Sequence, residues 1–124
     1  MTNAPPRHVL VVDDHELSRR LARLVLEPSG WQVDEACDGA QALAALASSR
    51  YDCVLLDISM PGMSGEAVCA QIRRDPALAG IRVVAYTAHA MSHERERMLA
   101  VGFDDIVTKP ASMARLTEAV AGAA

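Results

Sequence analysis

Short apolar runs alternate with segments of helical period along almost the whole chain, and this alternation limits the possible folds more than any other feature. Each run has the length and the aliphatic content of a buried strand. The runs are His8–Val12, Trp31–Ala36, Tyr51–Leu56, Ile81–Thr87 and Asp105–Thr108. Nearly continuous apolar strands are typical of a parallel sheet that is covered on both faces. The alternation therefore predicts βαβ units with right-handed crossovers.

Five helices are predicted between and after these strands. Apolar residues recur at intervals of three and four in the first helix, at Leu17, Leu21, Leu24 and Val25. The last helix has a similar spacing, at Met113, Leu116 and Val120. Capping residues and helix breakers give the other limits: Asp38 with Gln41, Ser64 and Ser92 at the starts, and Pro28-Ser29-Gly30, Asp75-Pro76 and Gly102 at the ends.

The chain has 124 residues, which suits one domain with one continuous sheet. Strict alternation then predicts a single doubly wound (βα)5 domain, an α/β fold with helices on both faces of a five-stranded parallel sheet. We place this domain at residues 8–121. A polar, proline-bearing lead at 1–7, expected to be disordered, precedes it, and a short tail at 122–124 follows.

Composition and charge exclude several classes of protein. A net charge of −4 argues against a general nucleic-acid binder, which would carry a basic face. No apolar run approaches the ~18 residues of a membrane span, and no signal peptide is recognisable, so we expect neither membrane insertion nor secretion. Cys37, Cys53 and Cys69 are widely spaced and form no CxxC pair, which is typical of buried thiols in a reducing cytoplasm.

The carboxyl ends of the predicted strands carry the residues with chemistry. Ligands of an open parallel sheet bind beyond these ends. The residues there are Asp13-Asp14 after the first strand, Asp57 after the third, Thr87-Ala88 at the fourth and Lys109-Pro110 after the fifth. Each has an ordinary explanation by itself, since Asp14 could cap the first helix and Lys109 could be a solvated cation. Their occurrence at four strand ends at once predicts one site.

Electrostatics indicates what that site can hold. Two carboxylates about 4 Å apart repel by roughly 4 kcal/mol at an effective dielectric constant of about 20. Lys109 can offset one of three clustered negative charges, which leaves room for a divalent cation. Because the available ligand atoms are oxygens, the expected ion is Mg²⁺. A carboxylate beside Mg²⁺, a lysine and a hydroxyl suits phosphoryl transfer to that carboxylate.

These residues lie within longer segments that resemble a known family. The segments are VLVVDDHELSR, VLLDISMPGMSG, VVAYTAHAM and GFDDIVTKP, in this order. Together they resemble the receiver domain of response regulators in two-component and phosphorelay systems, over residues 8 to about 121. The likeness is strongest with receivers that belong to, or work with, hybrid histidine kinases. It implies a flavodoxin-like fold with strand order 2-1-3-4-5.

The resemblance also implies a role for each site residue. Asp57 would accept a phosphoryl group from a phosphohistidine. The ligands of Mg²⁺ would be Asp13, Asp14, Asp57 and the backbone carbonyl of Ser59. The residues that bind the phosphoryl oxygens and take part in the switch would be Thr87, Ala88 and Lys109. The peptide bond between Lys109 and Pro110 would be cis.

The partners implied by the resemblance are a histidine kinase or a histidine phosphotransfer protein, together with an unidentified downstream protein. We expect no nucleic-acid partner and no membrane insertion. The implied cofactor is Mg²⁺ and the expected location is the cytoplasm. The domain would be a signalling switch, assisting only its own phosphorylation and dephosphorylation, rather than an enzyme.

The chain departs from the family pattern three residues before the lysine. The family usually has Tyr or Phe there, whose rotamer follows the threonine, but this chain has Ile106. Tyr86 stands next to Thr87, yet strand alternation should point it to the opposite face. We therefore hypothesise a muted or differently routed conformational response. Ser59 and His89 are further candidate modulators of phosphate lifetime. No role is assigned to the other histidines, His8, His15 and His93.

Two alternatives stay open at the level of sequence. A Mg²⁺-dependent phosphatase with an Asp nucleophile would carry a second carboxylate two residues after the first, where this chain has Ser59. The second alternative is a degenerate receiver that only binds partners. Ile106 favours it, whereas the complete set of strand-end residues argues against it.

Overall fold

The structure is a computed structural model that describes residues 7–88 and 92–122, without the side chains of 92 and 93. Within these residues five strands alternate with five helices. The strands are β1 (Arg7–Val12), β2 (Trp31–Ala36), β3 (Cys53–Leu56), β4 (Arg82–Thr87) and β5 (Asp105–Thr108). The helices are α1 (Glu16–Leu26), α2 (Gly39–Ser48), α3 (Gly65–Arg74), α4 (Ser92–Val101) and α5 (Met113–Ala121). All strand pairs are parallel in the order β2-β1-β3-β4-β5, which confirms the predicted flavodoxin-like (βα)5 fold.

The first, third and fourth strands differ slightly from their predicted limits, and β4 begins at Arg82, one residue later than predicted. Arg7 already belongs to β1, where it is in register with Trp31, and its guanidinium carbon lies 4.6 Å from the centre of the Trp31 ring. Tyr51 lies before β3, and its hydroxyl donates a 2.7 Å hydrogen bond to Asp34. Of the lead predicted at 1–7 and the tail predicted at 122–124, residues 1–6 and 123–124 lie outside the described residues.

Local hydrogen bonds start α2 and α3 where the sequence indicates. The Asp38 carboxylate accepts a 2.8 Å hydrogen bond from the backbone N–H of Gln41. The Ser64 hydroxyl oxygen accepts a 3.2 Å hydrogen bond from the backbone N–H of Ala67. These caps satisfy amide groups that have no partner within the first helical turn. The cap predicted at Ser92 lies outside the described side chains.

Both faces of the sheet carry an apolar core. Successive residues of a strand point to opposite faces, so Leu10 and Val12 of β1 belong to one core while Val9 and Val11 belong to the other. The first core contains residues of α2, α3 and α4, and the second contains residues of α1 and α5. Every residue of β3 is buried. The continuous apolar runs of the sequence therefore correspond to strands covered on both sides.

Helix α1 buries a different face from the one that its leucines mark. Leu17, Leu21 and Leu24 are 69%, 52% and 67% exposed. Ala22 and Leu26 are buried instead, in the core that α1 shares with α5. The leucine spacing therefore predicts the helix correctly but not its packed face. The three exposed leucines form an apolar stripe on the solvent side, which we call the α1 stripe.

The side chains of Cys53 and Cys69 are buried, as the sequence predicts, whereas Cys37 is only half-buried. Cys37, Cys53 and Cys69 are free thiols. Burial raises the pKa of Cys53 to about 12 and that of Cys69 to about 11, so neither is a reactive thiolate near neutral pH. In the described part of the chain, the helices are all too short or too polar to cross a membrane.

Candidate functional site

The three predicted carboxylates meet at the carboxyl edge of the sheet. Strands β1 and β3 are neighbours and end in register at Val12 and Leu56, so the residues that follow them are brought together. One ligand atom from each of Asp13, Asp14, His15 and Asp57 lies within 4.8 Å of the others. We call these four residues the acidic pocket. The prediction that strand ends form one carboxylate cluster is confirmed.

Asp13 is the member of the acidic pocket whose partners are complete. Its side chain is 2% exposed and accepts a 2.7 Å hydrogen bond from the Nζ atom of Lys109. The other carboxylate oxygen accepts a 2.9 Å hydrogen bond from the backbone N–H of His15. Arg19 donates from Nη1 to the carbonyl oxygen of Asp13 at 2.8 Å. Asp13 is therefore fixed in position by a lysine, an arginine and the start of α1.

Asp14 has the opposite character. It does not cap α1, because the N-cap residue is His15 and no described side chain caps the helix there. The Oδ1 atom of Asp14 is buried without a hydrogen-bond partner in the described part of the chain, and its recorded ion-pair neighbour is Nδ1 of His15 at 3.2 Å. A buried carboxylate oxygen without a hydrogen bond is costly. It is a fitting ligand for a divalent cation, so the acidic pocket meets the requirement for Mg²⁺.

Asp57 is a buried carboxylate in an unfavourable electrostatic position. It is 5% exposed and accepts a 3.2 Å hydrogen bond from the backbone N–H of Ser59. Burial is the main cause that raises its pKa, and the negative charges of Asp13 and Asp14 raise it further. The positive charge of Lys109 and the Ser59 N–H oppose the rise without cancelling it. Additional positive charge near Asp57 would therefore stabilise its ionised form.

The segment after Asp57 depends on a glycine that sequence reasoning did not single out. The backbone N–H of Gly65, the first residue of α3, donates a 3.0 Å hydrogen bond to the carbonyl of Ile58. A Cβ atom on Gly65 would overlap the carbonyl oxygen of Asp57 and lie 2.8 Å from the Cα atom of Ile58. The available signal was its place directly after the capping Ser64. Gly65 therefore allows α3 to press against the backbone of Asp57.

Lys109 and Thr87 complete the predicted set at the edge of the sheet. The backbone N–H of Lys109 donates a 2.7 Å hydrogen bond to the carbonyl of Thr87. The bond between Lys109 and Pro110 is cis, the isomer that was expected. Thr87 is the last residue of β4 and is 1% exposed, whereas the neighbouring Ala88 is exposed. The lysine, the threonine and the carboxylates thus come from four adjacent strands.

The candidate modulators lie on opposite faces of the sheet. Ile106 is 1% exposed and belongs to the core that includes Met98 and Phe103. Tyr86 is half-buried and packs against the other core, on the side of α1 and α5. The prediction that Tyr86 points away from the usual aromatic position is confirmed. His89 lies outside the described residues.

His15 is the residue of the pocket that sequence reasoning missed. We assigned it no role, yet its Nδ1 atom lies 3.2 Å from Asp14 Oδ1 and 3.5 Å from Asp13 Oδ1. The signal in the sequence was its position directly after the acidic pair. Its side chain is 72% exposed, so it forms the outer rim of the acidic pocket.

Two open cavities lie at the amino-terminal edge of the sheet, away from these residues. One of about 350 Å³ is lined by Arg73, Arg82 and Asp104, and one of about 640 Å³ by Tyr51 and Asp52 among others. The guanidinium of Arg73 already donates to Gly102, Ile81 and Asp104. Because Arg73 is engaged in this way and these cavities gather no cluster of carboxylates in the described part of the chain, the acidic pocket is the better functional candidate.

The fold and the acidic pocket together define a class of protein: an α/β domain that gathers three carboxylates and a lysine at the carboxyl edge of a parallel sheet. Residues 9–121 match the family model of the response regulator receiver domain. The match spans most of the chain, so the protein belongs to this family. The resemblance drawn from the sequence motifs is confirmed.

Curated relatives include both large and small proteins. The chain is 42% identical over 123 residues to hybrid signal transduction histidine kinase I of Dictyostelium discoideum, a match that covers 93% of this chain and 7% of that protein. It is 35% identical over 115 residues to the polar-differentiation response regulator DivK of Brucella anthropi, covering 93% of this chain and 94% of that protein. The chain thus spans a small part of one relative and nearly the whole of the other.

Solved structures have the same architecture. The chemotaxis protein CheY4 of Vibrio cholerae superposes with a TM-score of 0.89 at 26% identity, covering 94% of this chain and 98% of that one. The response regulator TrrA of Thermotoga maritima, solved in complex with Mg(2+)-BeF, has a TM-score of 0.83 at 34% identity, with coverages of 94% and 97%. Both similarities extend over almost the entire domain.

Proposed function

We propose that this receiver domain takes a phosphoryl group from a phosphohistidine partner onto Asp57, in a reaction that requires Mg²⁺, and that the modification changes its binding to a downstream protein. The observation that carries this proposal is the acidic pocket itself. It combines a buried carboxylate, a second carboxylate with an unpartnered oxygen and a lysine at the same sheet edge. Such a set has little value for stability and suits phosphoryl transfer.

The site residues divide into ligands and a nucleophile. Asp14, Asp57 and the carbonyl of Ser59 would hold Mg²⁺, with Asp13 acting at longer range because its oxygens are already engaged. The relative TrrA was solved in complex with Mg(2+)-BeF, which supports this assignment. When bound, the ion would neutralise charge on the phosphoryl oxygens. The other contributions of the domain to the reaction come from its own side chains and backbone groups.

The transfer step balances without any further reactant. An oxygen of Asp57 forms the new P–O bond while the P–N bond to the donor imidazole breaks, and the electron pair of that bond returns to the imidazole nitrogen. The attacking group must be the ionised carboxylate. Burial raises the pKa of Asp57 and the positive charge of Lys109 opposes that rise, so a bound cation would further favour the ionised form.

Lys109 has to exchange partners during the reaction. Its Nζ atom bonds to Asp13 before phosphorylation, at 2.7 Å. A phosphoryl group on Asp57 adds about −1.5 to −2 charges, to which the ammonium would move. The Thr87 hydroxyl and the backbone N–H of Ala88 would bind the remaining oxygens. Charge-assisted hydrogen bonds of roughly 1.5–3 kcal/mol each can shift a two-state equilibrium substantially.

The conformational response is expected to differ from that of receivers with an aromatic residue before the lysine. Ile106 is already buried in the core below α4 and has no polar group to reposition. We therefore propose a muted or differently routed switch. Amide hydrogen exchange over residues 88–108, compared with and without a phosphate mimic, tests this. A large change of protection across the segment would contradict the muted response.

The α1 stripe is the proposed docking surface for the phosphohistidine partner. The stripe lies on the helix that begins directly after the acidic pocket, and it leaves three large apolar side chains exposed. Exposed apolar patches next to a functional site mark protein interaction surfaces. We propose that an apolar helix face of the histidine-bearing partner covers it, which would bring the phosphohistidine close to Asp57.

Leu21→Ser tests the docking surface against a matched control, Leu99→Ser. Leu21 and Leu99 are both leucines on helices and both 52% exposed, but Leu99 is on α4. Loss of about 1.5–3 kcal/mol of apolar burial should slow transfer from a phosphorylated histidine phosphotransfer protein about tenfold or more. The reaction with a small phosphodonor should not change. Equal transfer rates in the two variants would contradict this surface.

The proposed function also has to be separated from its alternatives. We propose that the domain is not a phosphatase, because Ser59 stands where the second carboxylate of such enzymes would be. The domain would act in the cytoplasm with a histidine kinase or phosphotransfer protein, and no nucleic acid is required. A degenerate receiver would share the fold but would not accept a phosphoryl group.

Incubation with Mg²⁺ and a small phosphodonor, followed by intact mass measurement, tests the central proposal. The expected result is a gain of one phosphoryl group that disappears when Mg²⁺ is chelated. Asp57→Asn should abolish the gain, whereas Asp105→Asn, on the opposite edge of the sheet, should retain it. No adduct on the wild-type domain would indicate a degenerate receiver, and steady hydrolysis of simple phosphate esters would favour a phosphatase.

A further inference from the structure

Lys109 is the only lysine of the chain, and all other basic side chains apart from the histidines are arginines. Its ammonium group therefore supplies the one primary side-chain amine available to the acidic pocket. Two contacts hold it. The Nζ atom donates to Asp13 at 2.7 Å, and it lies 5.0 Å from the centre of the Tyr86 ring. The first contact is an ion pair, and the second has the distance of a cation–π interaction.

The Tyr86 ring is itself firmly placed. It is half-buried on the face shared by α1 and α5, and its neighbour in β5 is Val107 of the second core. Burial raises the pKa of Tyr86, so the phenol stays neutral and keeps the electron-rich ring face that attracts a cation. Tyr86 thus contacts Lys109 from the face of the sheet opposite to Ile106. It does not occupy the usual aromatic position of the family.

We infer that Tyr86 is a positioning residue for Lys109. Its ring holds the ammonium at the mouth of the acidic pocket, so that Nζ stays near Asp57 when it releases Asp13 for an incoming phosphoryl group. This inference rests on the proposed function. The Lys109 side chain is 19% exposed, so without the ring its ammonium group could turn away from the acidic pocket into solvent. Tyr86 therefore sets how often the lysine is available at the moment of transfer.

The contact can be tested without any reaction. With isotopically labelled lysine the domain should give one side-chain signal, from Lys109. Ring currents of Tyr86 should displace its Cε resonance upfield of the position in the unfolded chain. Tyr86→Leu should remove this displacement and Tyr86→Phe should preserve it. Tyr51→Leu is the matched control, since Tyr51 is also half-buried but contacts Asp34 at the other edge.

The positioning role is then measured as the second-order rate of phosphorylation by a small phosphodonor at fixed Mg²⁺. Tyr86→Leu should lower this rate about two- to fivefold, the factor that corresponds to about 0.5–1 kcal/mol of cation–π attraction. Tyr86→Phe should recover the wild-type rate. The dissociation constant of Mg²⁺ should be the same in all three proteins. A general structural defect would change it, so an unchanged value excludes such a defect.

Two results would overturn the inference alone. One is a Lys109 Cε resonance whose position does not change in Tyr86→Leu. The other is an equal phosphorylation rate for Tyr86→Leu and Tyr86→Phe, measured where the wild-type domain is phosphorylated. Absence of phosphorylation in the wild-type domain would instead overturn the proposed function, and the positioning role together with it.

Discussion

At the amino-terminal edge of the sheet, two aspartates each face an arginine, whereas at the carboxyl edge three carboxylates share one lysine. Arg73 makes three hydrogen bonds at the first edge, including one of 2.7 Å to Asp104. Asp105 is held by both terminal nitrogens of Arg115 at 3.1 Å. At the second edge, Asp14 keeps a buried oxygen without a hydrogen bond among the described residues.

The pKa values of two aspartates reflect this difference. Burial alone would raise the pKa of Asp105, but hydrogen bonds from Arg115 and from the Ile106 N–H lower it below its ordinary value. Burial raises the pKa of Asp57, and Lys109 does not compensate. The first edge therefore contributes to stability. The carboxyl edge contains clustered negative charge that a bound cation would neutralise. Uncompensated charge of this kind is typical of a functional site and not of a structural one.

Among substitutions at the two edges, Arg73→Ala at the amino-terminal edge should change the free energy of unfolding most. The substitution removes three hydrogen bonds that join α3 to the start of β4 and to the α4–β5 loop. We expect the free energy of unfolding to fall by about 3 kcal/mol, since three hydrogen bonds of about 1 kcal/mol each are lost. Urea unfolding measures it. Arg20→Ala, in an exposed pair at 3.8 Å, is the control and should cost about 0.5 kcal/mol or less.

Gly65→Ala should disturb the carboxyl edge of the sheet through a steric clash. The added Cβ atom meets the backbone of Asp57 and Ile58, which cannot move aside as a flexible side chain could. We expect a loss of about 2 kcal/mol in unfolding free energy, together with weaker Mg²⁺ binding. Calorimetric titration with Mg²⁺ and urea unfolding measure both. Gly80→Ala, where a Cβ meets nothing within 4 Å, is the control.

An Asp→Asn substitution should change the free energy of unfolding in opposite directions at the two edges. Asp105→Asn weakens a bidentate contact with Arg115 and should lower the unfolding free energy by about 1 kcal/mol. Asp14→Asn removes one of three clustered negative charges and should raise the unfolding free energy by about 1 kcal/mol without metal, while weakening Mg²⁺ binding. If both substitutions destabilised the metal-free domain equally, the proposed contrast between the edges would be wrong.

The smallest effect should be a difference in pH dependence between Asp57→Asn and the wild type. The raised pKa means that the folded state binds the Asp57 proton more tightly than the unfolded state does. Wild-type stability should therefore fall as pH rises from the ordinary value of 3.8 through the raised pKa. Asp57→Asn should lack this fall and be the more stable protein at neutral pH.

The window for Asp105 lies on the other side of its ordinary pKa. Its lowered value contributes stability above pH 3.8 that is lost as pH falls through the folded-state pKa. Asp105→Asn should therefore differ most from the wild type at neutral pH and least in acid. Thermal unfolding between pH 3 and 7 follows both variants, and added Mg²⁺ should reduce the advantage of Asp57→Asn only.

The sequence by itself determined the fold class and predicted the carboxylates and the lysine at the strand ends, but not His15. Strand and helix periods differ, so the alternation predicts a parallel α/β sheet. The carboxyl ends of parallel strands lie at one edge, so Asp13, Asp57 and Lys109 had to meet there. Capping residues such as Ser64 act on neighbouring amides, which is why local sequence was sufficient for them.

Only the tertiary structure decided which surfaces are covered and which charges are paired. Helical period cannot tell which face of α1 meets the sheet, so the exposure of Leu21 was not predictable. Three features follow from how the segments pack and not from the sequence pattern: the Asp14 oxygen that accepts no hydrogen bond among the described residues, the approach of Gly65 to Asp57, and the contact of the Tyr86 ring with Lys109. Distances between strands, rather than patterns along the chain, fix the electrostatics of the acidic pocket.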